Sequence, residues 1–500
     1  MRSIFSTILK GRQSLTANAI LQRTYSKEAR TAPKNLYSRI SPLGDPSISV
    51  VPVLDQWAEE LKEFKADEVR RTVKILRSNR RHKQALEASE WMSSKGPATF
   101  SLADRAVQLD LIGRVRGLDS AESYFKYIDD KDKIDKIYGA LLNCYVREGL
   151  VDKSLSLMQK MKELGFAHST LPYNNLMSLY ARTGQFEKVP DVFSEMKKNG
   201  ISLDNFSYRI CMDSYGARSD LDNVEKILQE MENQPHISMD WQMYAAAAHI
   251  HIKAGAEERA LIHLKKCEEK VDKDVLGYNY LISLHASLGN KDEMLRLWNL
   301  AKTKCKKHVN RDYITMLGCL VKLGEFQEAE KLLDEWDSSC QYYDFRVPNV
   351  LLIGYCQKGL IEKAEGMLRC MIEKQKTPTP NSWAILASGY VDRQNVNKAF
   401  ECMKEALAVQ KENMGWRPKP QLISTILDWV GNNGDVEEVE SFVSSLESKV
   451  PNNRQMYHAL IKAYIRGGKE VHGVLESMKN DKIDEDEETK AILSGKRLEC

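Results

Sequence analysis

No stretch of this 500-residue chain approaches the ~20 consecutive apolar residues that a helical membrane span requires, so a role within the bilayer is not expected. Neither sign of charge dominates. Lys and Arg number 73 against 70 Asp and Glu, a net charge of +3, so any attraction to a polyanion has to come from local placement. The ten cysteines include no CxxC pair, and the HxE…CxxC signature of zinc deaminases is missing as well. Gly468-Lys469 is followed by Glu470, which could not serve a phosphate-bound Mg²⁺ as the Ser or Thr of a P-loop does. His249 and His251 stand two apart in a helical pattern and point to different faces, a poor ligand pair. No enzyme, cofactor, metal site or small-molecule substrate is therefore expected, and the cysteines read as buried thiols.

What is present is repetition. Thr170 to Asp204 reads TLPYNNLMSLYARTGQFEKVPDVFSEMKKNGISLD. Its apolar residues fall at Tyr173, Leu176, Met177 and Tyr180, then at Phe186, Val189, Val192, Phe193 and Met196, with Gly184 between the two sets. That spacing predicts two helices, Leu171 to Arg182 and Phe186 to Lys198, joined by a tight turn. The tyrosine returns in register as Tyr138, Tyr173, Tyr208, Tyr244, Tyr278 and Tyr313, and the turn glycine as Gly149, Gly184, Gly255, Gly289, Gly324, Gly359, Gly434 and Gly468. One hairpin cannot bury both of its apolar faces, so its neighbours must stack on it. The fold class expected is all-α: an α-solenoid, a right-handed superhelix of tandem 35-residue helix-turn-helix repeats.

The ends read differently. Residues 1–25 carry Arg2, Lys10, Arg12 and Arg23 with no acid before Glu28, and Ile4, Phe5, Ile8 and Leu9 would share one helical face. This composition marks a mitochondrial presequence, with a chloroplast address the less favoured reading. Residues 26–52, with four prolines, read as an unfolded linker. Residues 53–134 read as degenerate helical repeats that cap the stack, 135–488 as about ten full repeats, and 489–500 as a tail after an acidic run, Asp484 to Glu488, expected to be solvated. The block from 380 is long, and its excess, Gln410 to Lys419, reads as an extended loop.

The lines PYNNLMSLYARTGQFEKVPDVFSEMKKNGISLD and YGALLNCYVREGLVDKSLSLMQKMKELGF resemble the pentatricopeptide repeat, of the P subfamily found in plant organelles. The resemblance is clear from Ile134 to Lys482 and weaker from Lys65 to Lys133. The tetratricopeptide repeat also pairs helices, but it carries a small residue four places after its first aromatic. Here Leu142, Met177, Met212, Ile282, Leu317 and Leu352 stand there, and only Ala248 is small.

The resemblance implies a single-stranded RNA partner, one base per repeat, read by the residue after the tyrosine position and by the last residue of the repeat. Asn174 with Asp204 is the combination that the family associates with uracil. Leu171 and Phe206 would sandwich that base, as Leu276 would sandwich another. Asn279 and Asn349 keep the amide but face Val309 and Thr379, Ser424 with Asn453 comes closer to an adenine pairing, and most other pairs fall outside recognised combinations, so no target sequence can be written. Family lysines near the RNA phosphates correspond to Arg147, Arg182, Lys253, Lys322 and Arg466. The function implied is that of a mitochondrial matrix RNA-binding protein acting by occupancy in transcript stabilisation, processing, splicing or translation. Other RNA-processing or ribosomal proteins of the organelle are further partners. The alternative is a protein-interaction scaffold, for example one on the mitochondrial ribosome, whose base-reading positions have drifted.

Overall fold

Thr170–Arg182 forms a helix because its apolar residues recur every three or four positions and its one proline stands in the first turn, where a missing N–H costs nothing. Tyr173, Leu176, Met177 and Tyr180 are buried along one stripe. Gly184 then turns the chain at φ 75°, a left-handed conformation that a Cβ would strain. The partner helix runs Val189–Lys198 and buries Val189, Val192, Phe193 and Met196. Its expected start at Phe186 is displaced, and Phe186–Lys188 is a 3₁₀ turn instead. Pro190 has no N–H to bond back to Phe186, so the α-helical ladder begins with Pro190 in its first turn.

The computed structural model describes residues 35–45, 48–60, 65–95, 100–305, 307–409, 416–447 and 450–495. The presequence, residues 410–415 of the long loop and Cys500 lie outside the described residues. Two short helices lead, α1 (Leu36–Ile40) and α2 (Val51–Glu60). Hairpins follow: α3/α4 (Ala66–Ser78, His82–Ser94), α5/α6 (Leu102–Val115, Leu118–Tyr127), α7/α8 (Asp135–Glu148, Val151–Glu163), α9/α10 (Thr170–Arg182, Val189–Lys198) and α11/α12 (Asn205–Ala217, Leu221–Glu232). Next come α13/α14 (Trp241–Lys253, Glu257–Lys270), α15/α16 (Val275–Ser287, Lys291–Lys304), α17/α18 (Asn310–Leu323, Phe326–Ser339) and α19/α20 (Pro348–Gln357, Ile361–Glu373). The series closes with α21/α22 (Pro380–Asp392, Val396–Ala408), α23/α24 (Pro420–Asn433, Val436–Glu447), α25/α26 (Arg454–Arg466, His472–Asn480) and a lone α27 (Glu487–Leu493). The fold is an all-α solenoid of tandem hairpins, without strands among the described residues.

The chain divides into two units, Met1–Met239 and Asp240–Cys500. Within each, successive first helices lie side by side: α5, α7, α9 and α11 in one, and the odd-numbered helices α13 to α25 in the other. Second helices pack chiefly on the first helix of their own hairpin and of the next. The recurrent tyrosine ties the two layers together. Tyr208 donates to Glu230 at 2.8 Å and Tyr313 to Glu335 at 3.4 Å, each from first to second helix of one hairpin. Along the second helices runs an ion-pair ladder, with Lys162–Glu195 at 2.5 Å and Lys197–Glu230 at 2.6 Å in the first unit, and Arg296–Glu268 and Lys302–Glu335 at 2.7 Å in the second. Partly exposed pairs of this kind contribute at most about 1 kcal/mol each and serve register more than stability.

Three expectations change. Residues 35–45 are not unfolded: Leu36 and Ile40 are fully buried, and Leu36 N donates to Glu68 at 2.7 Å. Arg81 bonds the carbonyls of Ile40, Ser41 and Leu43, and Pro42 stands in the turn that follows α1. The acidic run is solvated, with Asp484, Glu485, Glu487 and Glu488 exposed, but it leads into a helix and is not an end. Asp486 caps α27 in a reciprocal pair with Thr489, while Ile492 and Leu493 cover Tyr457, Ile461, Val474 and Met478. The expected tail therefore begins inside a capping helix. Gly434, third, is not a left-handed turn: its φ is −76°, and a Cβ there would meet Val430 Cγ2 at 2.8 Å.

Where the register lacks its turn glycine, Ser219 and Gln394 occupy the left-handed region at φ 58° and 59°. Replacing Ser219 with glycine should remove that strain and stabilise the protein by about 1 kcal/mol in urea or thermal unfolding. A loss of stability would show that the turn is not strained.

Candidate nucleic-acid interface

The pair read as base-contacting, Asn174 and Asp204, does come together, but around a different task. Asp204 is the N-cap of α11, and its carboxylate accepts from Ser207 N at 2.8 Å. Asn174 Nδ2 donates to the same carboxylate at 3.1 Å, and Asn174 Oδ1 accepts from Ser207 Oγ at 2.8 Å. Asn174 is 3% exposed and Ser207 fully buried. One repeat's amide thus plugs into the capping box that opens the next repeat's first helix. A donor and a lone pair of the amide stay uncommitted, but a base edge would have to displace covering atoms to reach them.

The joint recurs with other chemistry. Asn279 Nδ2 donates to Asp312 at 2.7 Å, and Asp312 accepts from Val309 N at 2.8 Å in place of a capping side chain at Val309 itself. His458 Nε2 meets Thr489 Oγ1 at 2.8 Å at the start of α27. Asn349 is likewise buried. The acids at the ends of other repeats are caps: Asp240 accepts from Gln242 N and Met243 N, and Asp274 from Leu276 N. Sequence reasoning missed Ser207, Asp312 and Thr489, although their spacing three residues after Asp204, Val309 and Asp486 follows the capping-box rule.

The residues read as sandwiching a base stand at the protein surface. Leu171 is 63% exposed and Phe206 56%, both in the first turn of consecutive first helices, with Leu276 half-buried at the corresponding place in α15. Large apolar side chains this exposed lose hydrophobic stabilisation, about 25 cal/mol per Å2 left in water. Both present flat or branched surface beside the Asn174–Asp204 joint.

The basic residues divide. Arg182 donates to the carbonyls of Val146 and Arg147 at 3.0 Å each, and Arg466 to Gly431 O at 2.8 Å. Those carbonyls stand at the end of the preceding first helix, where acceptors outnumber backbone donors, so these arginines fasten repeats together. Arg393 reaches the carbonyl of Gly359, in the turn just past α19. Lys322 reaches Ser287 Oγ at 2.9 Å, Arg147 is 3.3 Å from Asp110, and Lys253 is exposed. The recurrence of a base at this place therefore has a structural cause in at least Arg182 and Arg466.

Among the described cysteines none is disulfide-bonded. Burial pushes the thiols of Cys211, Cys267 and Cys402 up to about 12 and that of Cys319 up to about 11, opposite to the shift a metal ligand or nucleophile needs. His251 is buried, its ring stacked on His263 at 5.1 Å.

Asn174→Ala should destabilise the protein by about 1–3 kcal/mol in urea unfolding, because Ser207 and Asp204 lose a buried partner; an unchanged midpoint would mean that the joint contributes nothing. In native protein at pH 8, a maleimide should modify exposed Cys370 readily and Cys211, Cys267 and Cys319 only on unfolding. Rapid labelling of those three would contradict the packing described.

Comparison with known proteins agrees with the repeat register. A PPR repeat family pattern matches residues 168–217, and a PPR repeat pattern matches 136–166, 206–234, 312–340 and 347–375. A mitochondrial pentatricopeptide repeat-containing protein of Arabidopsis thaliana is 48% identical over 482 residues, which cover 96% of this chain and 98% of that protein. The large ribosomal subunit protein mL101 of Arabidopsis thaliana is 39% identical over 92% of this chain and 94% of its own length. Among solved structures, the maize pentatricopeptide repeat protein PPR10 matches 92% of this chain and 65% of its own at 19% identity, with a TM-score of 0.47. None of these comparisons indicates a catalytic family. The chain belongs to the pentatricopeptide repeat family of RNA-binding helical-repeat proteins, and like several similar relatives named as mitochondrial it is mitochondrial.

Proposed function

We propose that the protein binds single-stranded RNA in the mitochondrial matrix without catalysing a reaction, and acts by occupying a transcript segment. The observation that carries this reading is the exposure of Leu171 and Phe206 in register on neighbouring first helices. Folding alone does not favour such exposure, whereas an unpaired base inserted between them would cover both. Because the amides behind them are buried and committed to neighbouring repeats, recognition would rest on stacking and phosphate attraction more than on base edges. Such binding tolerates sequence. Bound RNA would be shielded from nucleases and from competing base pairing.

A second reading is favoured by a specific observation. The polar groups read as base-reading, Asn174 and Asn279, are used internally, and a 39% identical relative is named as a large ribosomal subunit protein. A scaffold docked on the ribosome would need no base readout.

Purified protein should bind oligouridylate over duplex DNA of equal length, with log affinity falling linearly in log salt. Leu171→Ala and Phe206→Ala should each weaken binding by about 1–3 kcal/mol while leaving the unfolding midpoint unchanged, since both side chains are exposed. Undiminished binding in both variants would sink the sandwich; no RNA binding by the parent protein would leave the scaffold standing.

A further inference from the structure

The leading hairpins hold a charge arrangement that the stacking site does not use. Between Arg70 and Gln84 there are seven Lys or Arg and no acid. One of them, Arg77 in the last turn of α3, donates to Asp110 of α5 at 3.0 Å. Arg114, one turn along α5, donates Nε to the same carboxylate oxygen at 3.0 Å. From α7, Arg147 approaches the other oxygen at 3.3 Å and Asn143 Nδ2 at 2.9 Å. The Asp110 side chain is 5% exposed, while those of Arg77, Arg114 and Arg147 are 36%, 32% and 24% exposed.

A carboxylate needs one guanidinium to be neutralised. The adjacent pair shows the economical form: Arg70 forks both oxygens of Asp104 at 2.9 to 3.1 Å. Around Asp110 three arginines share one buried acid and repel one another. The further acid in contact, Glu148, is half-exposed and lies 3.6 Å from Arg147. Arg77 and Arg114 each use only a part of the five N–H donors of their fixed fork on Asp110, so donors remain for a ligand on the solvent side, whereas Nη2 of Arg147 is buried and Arg147 adds its charge from below. The charge is strong enough to act on His82, whose pKa is lowered by burial first and then by Arg114, and whose Nδ1 has no partner among the described residues. Arg71, Lys74 and Lys83 stand exposed on α3 and α4 nearby in sequence.

We propose that Arg77, Arg114 and Arg147, held from beneath by Asp110, form a phosphate cradle for the backbone of single-stranded RNA. The proposal rests on the RNA-binding reading above and names a site for it. Helices α3, α5 and α7 are first helices of three consecutive hairpins and lead to α9, which carries Leu171. A strand stacked at Leu171 and Phe206 would continue toward the cradle along the same layer. Asp110 sets the spacing of the three forks without cancelling their charge, and binding there would be blind to base identity.

The test is fluorescence anisotropy with labelled oligouridylate, across a salt series, on the full chain. Arg77→Gln/Arg114→Gln is expected to lose roughly tenfold in affinity and about one unit of the log–log salt slope. Arg77→Lys/Arg114→Lys is expected to recover most of both, because phosphate responds to charge. If the double Gln variant unfolds, as thermal denaturation would reveal, Arg77→Gln alone keeps Arg114 and Arg147 on Asp110 and should lose about half the slope change. Gln variants that match the parent in affinity and slope, while Phe206→Ala still weakens binding, would overturn the cradle and leave RNA binding intact. A parent protein that binds no RNA at all would overturn both.

Discussion

The structure depends on one constraint: a 35-residue helical hairpin cannot satisfy its own surface, so each repeat must be completed by the next. Apolar burial supplies the bulk of that completion, through residues such as Tyr173, Tyr208, Tyr278 and Trp336 with 2% exposure or less. The polar part is more particular. A first helix opens with donors that lack partners, and here the residue after the preceding tyrosine reaches across to the capping group that satisfies them, as Asn174 does at Asp204 and Ser207. At the other end of the same helices, Arg182 and Arg466 reach back to carbonyls one repeat earlier. Both ends of the first-helix layer are therefore stitched by side chains.

That stitching reallocates residues that could have contacted a ligand. Asn174, Asn279 and Arg182 are engaged within the protein, and what the layer leaves outward is apolar at Leu171 and Phe206 and cationic around Asp110. The combination suits a polymer with flat bases and a charged backbone more than it suits discrimination among bases. The Asp110 carboxylate also links this surface to stability. Burial alone would raise its pKa, but Arg114, Arg77 and Arg147 bring it below the ordinary aspartate value. Its contribution is present above the pH range in which an unfolded aspartate titrates and is lost as pH falls through the depressed folded value.

Much of the fold was legible in the chain. The 35-residue period places block starts near 135, 170, 205, 241, 275, 310, 345, 380, 420 and 454; first helices open at Asp135, Thr170, Asn205, Trp241, Val275, Asn310, Pro380, Pro420 and Arg454, and at the block near 345 three residues later, at Pro348. The site was half legible. The family resemblance singles out Leu171 and Phe206, and both prove to be exposed. Engagement of Asn174 does not follow, because it depends on a serine in the next repeat whose hydroxyl could equally have faced water. Long-range partners also explain the misread ends. Glu68 and Arg81 hold α1, and His458 holds α27, each from another hairpin or helix. The cradle escaped notice because its three arginines are scattered over 70 residues and converge only when α3, α5 and α7 pack.

The central claim is that the first-helix layer is the RNA-bearing face. Ultraviolet crosslinking of the protein to RNA in intact mitochondria, followed by mass spectrometry of the nucleotide-modified peptides, locates the contact directly. Adducts should concentrate on first helices, above all on peptides containing Leu171 to Arg182 and Phe206. Adducts confined to second helices such as Val151–Glu163 and Leu221–Glu232, or none above background, would contradict the account.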